Sequence, residues 1–261
     1  MKNKKANGLV IYRGPSMIDG ATIICVVTGF KKTKNPKTGD MLQSWILRDD
    51  VSPVQAFYEG KDYSVCGDCK HSIYGTCYVN LANAPLQVWR AYKKDRYDFI
   101  NEDSISLFDG KKMRIGSYGE PTAVPFGIWN MLLKRVSGAT SYTHQWKKCD
   151  SQFKNICMAS VDSEKEAKDA INLGWKTFRT MIAGDKSMDN EISCPASNGK
   201  TTCSACGLCN GLSGSAKKCP TILVHGQGFK ISRYTKISRL IRNKKGWKYL
   251  LPENLLAKIR N

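Results

Sequence analysis

The stretch KMRIGSYGEPTAVPFGIWNMLLKRVSGATSYTHQW, Lys112–Trp146, decides the fold. It opens on a short β-like run, KMRIGSYG. It continues through PFGIWNMLLKRVSG, which reads as a helix closed by a glycine, and ends on a second β-like run, ATSYTHQW. The same rhythm goes on downstream. NICMASVDS reads as a strand and SEKEAKDAINLG as a helix, with Ser163 as N-cap, Glu166 three residues on and Gly174 as the stop. WKTFRTMIAG, EISCPAS and TILVHG read as further strands. Strands alternating with helices imply parallel βα units, hence an α/β chain built as a partial or complete βα barrel. In such a barrel the strand C-terminal ends form the active face. The repeat therefore places Gly119-Glu120, Thr143-His144, Ser160–Asp162, Cys194 and His225 on one side.

Before this core, GLVIYRG, ATIICVVTGF and MLQSWILRDD are β-branched and aromatic, with turns at Ser16–Gly20 and Asn35–Gly39. They predict an N-terminal antiparallel β module over 1–62, ahead of a metal-binding βα domain over 63–228. Pro85–Tyr97 reads as a helix with Pro85 in its first turn. From Phe229 onward, ISRYTKISRLIRNKK and PENLLAKI predict a basic helical tail over 229–261.

The chain has 261 residues, enough hydrophobic content (41%) for a real core, and a net charge of +19. Such a charge implies an anionic partner, nucleic acid first among them. Ten Lys or Arg and one acid fall between Lys230 and Asn261, and MKNKK and Lys31–Lys37 are also basic. Arg233, Lys236, Arg239, Arg242, Lys244 and Lys245 are the expected phosphate contacts, giving affinity that falls steeply with salt. No apolar leader follows MKNKKANG before Arg13, and no run of about 18 apolar residues exists. A reducing, cytoplasmic setting without a membrane span is the expectation, and there clustered cysteines favour metal over disulfides.

Seven of the eleven cysteines fall in two glycine- and serine-rich loops. Cys66, Cys69 and Cys77 leave one position open if they hold three irons of a [4Fe–4S] cluster. Alternatively His71 completes a zinc site, or the three are reduced structural cysteines. Cys194, Cys203, Cys206 and Cys209 form a full four-thiolate set, suited to zinc or to a closed [4Fe–4S] cluster. The next Cys-Pro, Cys219-Pro220, is separated from Cys209 by nine residues, so Cys194 is the better fourth ligand. Glu120, after a glycine-rich strand end, reads either as a grip for an ammonium group or as a surface turn residue. His144 reads as an acid/base or a structural histidine, Asp162 as a ligand-orienting carboxylate or a helix cap, and His225 is equally ambiguous.

At these residues the chain resembles the radical S-adenosylmethionine (SAM) barrels. GSYGEPT resembles that superfamily's glycine-glycine-glutamate-proline strand end, which meets the methionine amine of SAM, so Gly119, Glu120 and Pro121 match it. Met158–Ser163 resembles the later Ser-x-Asp strand, through Ser160 and Asp162. The resemblance implies that Cys66, Cys69 and Cys77 hold the catalytic cluster and that Cys194–Cys209 holds an auxiliary one. It further implies cofactor contacts from Gly119, Glu120 and Ser160, and catalytic roles for Glu120, His144 and Asp162. The spacing here is Cys-x₂-Cys-x₇-Cys, whereas the superfamily's usual motif is Cys-x₃-Cys-x₂-Cys. Over nearly its full length the chain is also similar to small bacteriophage-encoded proteins sharing the CxxC…CY and CPAS…CxxCxxC loops, which implies an infected bacterial host. The expected function is an iron–sulfur enzyme of radical-SAM-like type acting on a nucleic-acid-linked substrate. The rival is a zinc-stabilised, non-enzymatic nucleic-acid binder in phage replication or host takeover.

Overall fold

β-Branched and aromatic runs form the first three strands, β1 (Gly8–Pro15), β2 (Thr22–Thr28) and β3 (Leu42–Arg48), as an antiparallel meander. Ile23–Val27 of β2 are fully buried, because both faces of this strand are covered and its sequence needs no polar alternation. The structure, a computed structural model, describes residues 7–31, 36–214 and 217–242. Lys244, Lys245, the PENLLAKI segment and MKNKK lie outside the described residues.

The remaining strands are β4 (Asp98–Phe99), β5 (Lys112–Tyr118), β6 (Gly138–Thr143), β7 (Met158–Val161), β8 (Thr177–Met181), β9 (Glu191–Ser193) and β10 (Cys219–Leu223). All ten form one sheet in the order β4-β1-β2-β3-β5-β6-β7-β8-β10-β9. From β3 to β9 every neighbouring pair is parallel. The fold is therefore α/β, with the antiparallel meander continuous with the parallel section through β3 and β5. The expectation of a complete barrel is corrected: the sheet is open. Closure of the parallel section would require its end strand β9 to pair with the outer edge of β3, and β2 already occupies that edge.

The helices are α1 (Pro53–Tyr58), α2 (Tyr63–Cys66), α3 (Lys70–Ile73), α4 (Ala84–Tyr92), α5 (Phe126–Leu133), α6 (Glu164–Asn172), α7 (Cys203–Cys206) and α8 (Gly228–Arg242). α5 crosses from β5 to β6 and buries Trp129 and Leu132, with the Trp129 indole donating to the Pro121 carbonyl at 2.9 Å. It ends at Leu133 rather than running on to Gly138, which instead begins β6. α6 is capped by Ser163, whose hydroxyl accepts from Glu166 N at 3.1 Å, and it packs through Ala167 and Ala170. The Glu166 carboxylate reaches Asp162 N (2.9 Å), one residue earlier than a capping box would take it. Among the described residues, no helix is long and apolar enough to cross a membrane.

Candidate functional site

Two glycines shape the end of β5. Gly116 (φ +74°) and Gly119 (φ +88°) adopt conformations that residues with a Cβ resist. A Cβ on Gly119 would sit 2.7 Å from Ile46 Cβ and 2.9 Å from Ile46 O. This close approach drops the strand end onto β3 and joins Glu120 N to Val65 O at 2.6 Å, beside the first cysteine loop. Glu120 is consequently buried. Its Oε2 accepts from the Thr143 hydroxyl at 2.7 Å; its Oε1 accepts from His144 N at 3.0 Å and lies 2.8 Å from His144 Nδ1. Burial opposes charge on His144, yet Cys69 and Glu120 beside it hold its pKa well above the ordinary value. His144 Nε2 is buried with no hydrogen-bond partner among the described residues.

The loop carrying Cys66, Cys69 and Cys77 folds through two short helices. Gly67 (φ +50°) separates α2 from α3, and Ile73 N returns to Cys69 O at 3.1 Å. All three thiols line one cavity of about 630 Å³, together with Gly119, Glu120 and His144. Burial raises the Cys66 thiol well above its ordinary pKa, and the charges of Asp62, Cys69 and Cys77 add to this. Cys77 is pushed up to about 11, again mainly by burial. The neighbouring thiols add to the rise at Cys66 and Cys77 because they share a small space, a cost that a bound cation relieves. Tyr118, 4.0 Å from Cys66 Sγ through its hydroxyl, is raised by burial and by the same charges.

Behind the loop lies a second group that the sequence did not assemble. Asp162 Oδ1 accepts from the Tyr234 hydroxyl of α8 at 2.9 Å and lies 3.4 Å from His71 Nε2. Lys70 reaches both Glu166 and Asp162, the latter at 3.7 Å. Burial alone would raise the Asp162 pKa; the His71 contact and the nearby Lys70 and His144 charges instead hold it well below the usual range. His71 stacks on Tyr234 (centroids 4.9 Å apart), and its Nδ1 lies 3.2 Å from the Thr76 hydroxyl. Both ring nitrogens of His71 therefore face partners other than the cysteines, and in this arrangement it does not complete a zinc set with them. Asp162 faces an adjoining space of about 170 Å³ with Lys70 and Glu166, while Ser160 and His144 border both spaces.

The second loop borders the same main cavity through Cys194 and Cys203. Thr202 caps α7 by accepting from Ala205 N at 3.3 Å, and Gly207 (φ +64°) closes it in the left-handed conformation. Cys203 N donates to Lys37 O (2.9 Å) and Ser204 N to Thr38 O (3.2 Å), tying the loop to the β2–β3 connection. Cys194 and Cys203 line the cavity; Cys206 and Cys209 do not. Burial raises Cys209 to about 12 against the Tyr142 hydroxyl, and Cys194, Cys203 and Cys206 contribute in the same direction. Among the described residues, no group of three or more His, Cys, Asp or Glu is drawn into metal-binding geometry.

Gly119, Glu120, His144, Ser160, Cys194 and His225 thus meet at one cavity, as the strand rhythm implies. Asp162 stands apart, next door. Of the basic residues expected to meet phosphates, Lys236 and Arg239 are exposed on α8 and Arg233 lines the cavity. Arg242 is a correction: its guanidinium is paired with Asp185, at 2.9 Å from Oδ2, which fastens α8 to the turn after β8 instead of presenting a free charge. Tyr118 and Arg114, which line the cavity, and Tyr234, which holds Asp162, were missed, because nothing in their local sequence marks these contacts. Comparison with family models, curated proteins and solved structures returned no match.

Proposed function

We propose that the chain is an iron–sulfur enzyme of radical-SAM-like type, with a partial βα barrel formed by β3, β5, β6, β7, β8 and β10. The observation that carries this reading is the meeting of Cys66, Cys69 and Cys77 with Gly119-Glu120 and Ser160 around one cavity, at the C-terminal side of consecutive parallel strands. The donor chemistry fits. Three thiols from one loop, crowded into one cavity, suit a polynuclear iron site better than a hard cation. In this reading Cys66, Cys69 and Cys77 hold a [4Fe–4S] cluster, while Gly119 and Glu120 border the place for SAM. A cluster with one open iron supplies one-electron chemistry when bound.

The protein's own part is positioning and exclusion of water. Glu120 is fixed by Thr143 and by His144 from the end of β6, so its charge is held without side-chain freedom. Each carboxylate oxygen accepts more than one bond, and Oε2 has only Thr143 as a side-chain partner here, leaving capacity for a ligand ammonium. His144 lies beside Glu120 and Cys69, which hold its pKa above the ordinary value against burial. The second loop, with its full four-thiol set, needs only a structural ion or auxiliary cluster.

Anaerobic purification followed by iron, sulfide and zinc analysis tests the reading, with absorption followed at roughly 400 nm. Iron and sulfide together, lost from the first loop in Cys77→Ala, are expected. A colourless protein holding stoichiometric zinc and no iron would overturn the reading in favour of the zinc-stabilised binder.

A further inference from the structure

The cavity gathers unanswered positive charge. Glu120 on its lining is already met by Thr143 and His144. Arg114 of β5 and Lys230 and Arg233 of α8 line the same cavity. Among the described residues, none of these three cations is paired with a carboxylate. Arg114 donates through Nη2 to the Tyr78 hydroxyl at 2.6 Å, its guanidinium lies 5.9 Å from the Tyr142 ring centroid, and its Nε is buried without a hydrogen-bond partner. Lys230 donates to the Cys77 carbonyl at 2.7 Å, a neutral acceptor that leaves its charge unanswered. A half-buried guanidinium with spare donors is costly unless an anion meets it, and its planar fork suits phosphate. His225 on the same cavity has its pKa lowered by burial and by the Lys37, His71 and Arg114 charges.

Aromatic rings line the cavity beside Arg114. Tyr142 and Phe178 pack with ring centroids 4.6 Å apart, and Tyr78 lies against His225 at 4.9 Å. All four border the same cavity. About 630 Å³ is the size of a small-molecule site and accommodates one nucleotide, not a duplex.

We propose that the cavity binds a mononucleotide, with its phosphate on Arg114, Arg233 and Lys230 and its base against Tyr78, Tyr142 and Phe178. This deepens the enzymatic reading of the site and rests on its being a substrate cavity. It also moves phosphate recognition from the exposed face of α8 to the residues of α8 that point inward.

The test is calorimetric titration of the anaerobically purified protein with ribonucleoside 5′-monophosphates, the matching nucleosides and inorganic phosphate. At least one monophosphate is expected to bind saturably, about tenfold or more tighter than its nucleoside and than phosphate alone. Arg114→Gln and Arg233→Ala are each expected to weaken that monophosphate about tenfold while leaving the nucleoside unchanged. Arg233→Ala, on a helix surface, carries the test if Arg114→Gln fails to fold by circular dichroism. No saturable binding by any monophosphate, equal binding of nucleoside and monophosphate, equal binding of phosphate alone, or no loss in folded Arg233→Ala would each overturn the proposal. Iron content measured on the same samples separates the two readings. Nucleotide binding without iron removes the radical-SAM-like function and leaves this inference standing; iron without nucleotide binding does the reverse.

Discussion

The two cysteine loops differ in what holds them. The first, Cys66–Cys77, is continuous with the main core: Val65 is fully buried there and Cys66 packs against the same cluster. It is clasped from below by β5 through Glu120 N and Val65 O, and from behind by α8 through Tyr234, Lys230 and the Asp162 group. The second, Cys194–Cys209, has its own small apolar cluster of Cys194, Ala196 and Ile222, with Phe178 and Cys203 packed on it. Its anchors are backbone bonds to the β2–β3 connection, to β10 from Cys194 N, and to Ser141 of β6, whose N–H donates to Cys209 O at 2.9 Å, together with the edge strand β9. A loop built into the core can present thiols in a fixed arrangement at low cost in local order. A loop with so small a core of its own is the one that a bound ion would stabilise most. The difference teaches that the incomplete cysteine set is the one built into the main core, while the complete set has the smaller apolar support.

The strongest way to break this contrast is to remove one thiol from each loop. Cys77→Ala is expected to eliminate the first loop's iron while leaving far-ultraviolet circular dichroism intact. Cys206→Ala is expected to lower the melting temperature and increase proteolysis around residues 194–214. The reverse pattern would invert the assignment. Next in size is Glu191→Ala. Glu191 and Arg179 form a fully buried pair, at 2.7 Å between Oε1 and Nε, which holds β9 and hence the start of the second loop. Removing one partner strands the other charge and is expected to cost about 3–5 kcal/mol in chemical denaturation. The first loop's iron should survive this change in the fraction that stays folded.

On the first loop's side, Gly119→Ala forces a Cβ against Ile46 at φ +88°, and a loss of about 1–3 kcal/mol is expected, with displaced Glu120. Tyr234→Phe removes the buried hydrogen bond to Asp162 and is expected to cost about 1–1.5 kcal/mol, with no effect on the second loop. The smallest effect is on pH dependence. The folded-state pKa of Asp162 is depressed, so its contribution to stability is present above the unfolded carboxylate value, about 3.9, and is lost as pH falls below it. Asp162→Asn should therefore flatten the acid limb of a stability-versus-pH curve. An unchanged limb would show that the Lys70–His71–Tyr234 group is not what fastens the loop.

Much of the fold was legible. β5, α5, β6, β7 and α6 follow from apolar periodicity, the Ser163 cap and the glycines, because these are interactions within a few residues. The end of α5 was not, since Gly138 was needed for a strand pairing with Lys112 that no local signal reveals. The site was legible wherever a strand end carried its chemistry: Glu120, His144 and Ser160 line the cavity as the rhythm demanded. Asp162 lies just beyond the end of β7; its carboxylate is drawn to His71 and Tyr234 and borders the adjoining space.

The α8 helix shows the limit from the other direction. Its basic residues read alike in sequence, yet Arg242 is committed to Asp185, Arg233 faces the cavity, and Lys236 and Arg239 face outward. Helical phase relative to a docking surface decides this, and that surface is assembled from β7, α3 and the turn after β8.

By itself the sequence determined the α/β class, the strand ends that carry polar groups, and the two cysteine sets, since spacing, caps and glycines act locally. Only the tertiary structure decided that the sheet stays open, because β2 fills the edge of β3 that closure needs. It alone decided that His71 belongs to Asp162 and that Arg114, Lys230 and Arg233 meet across one cavity. Those outcomes depend on which distant segments share a buried volume, where unanswered charge and missing partners have to be settled together.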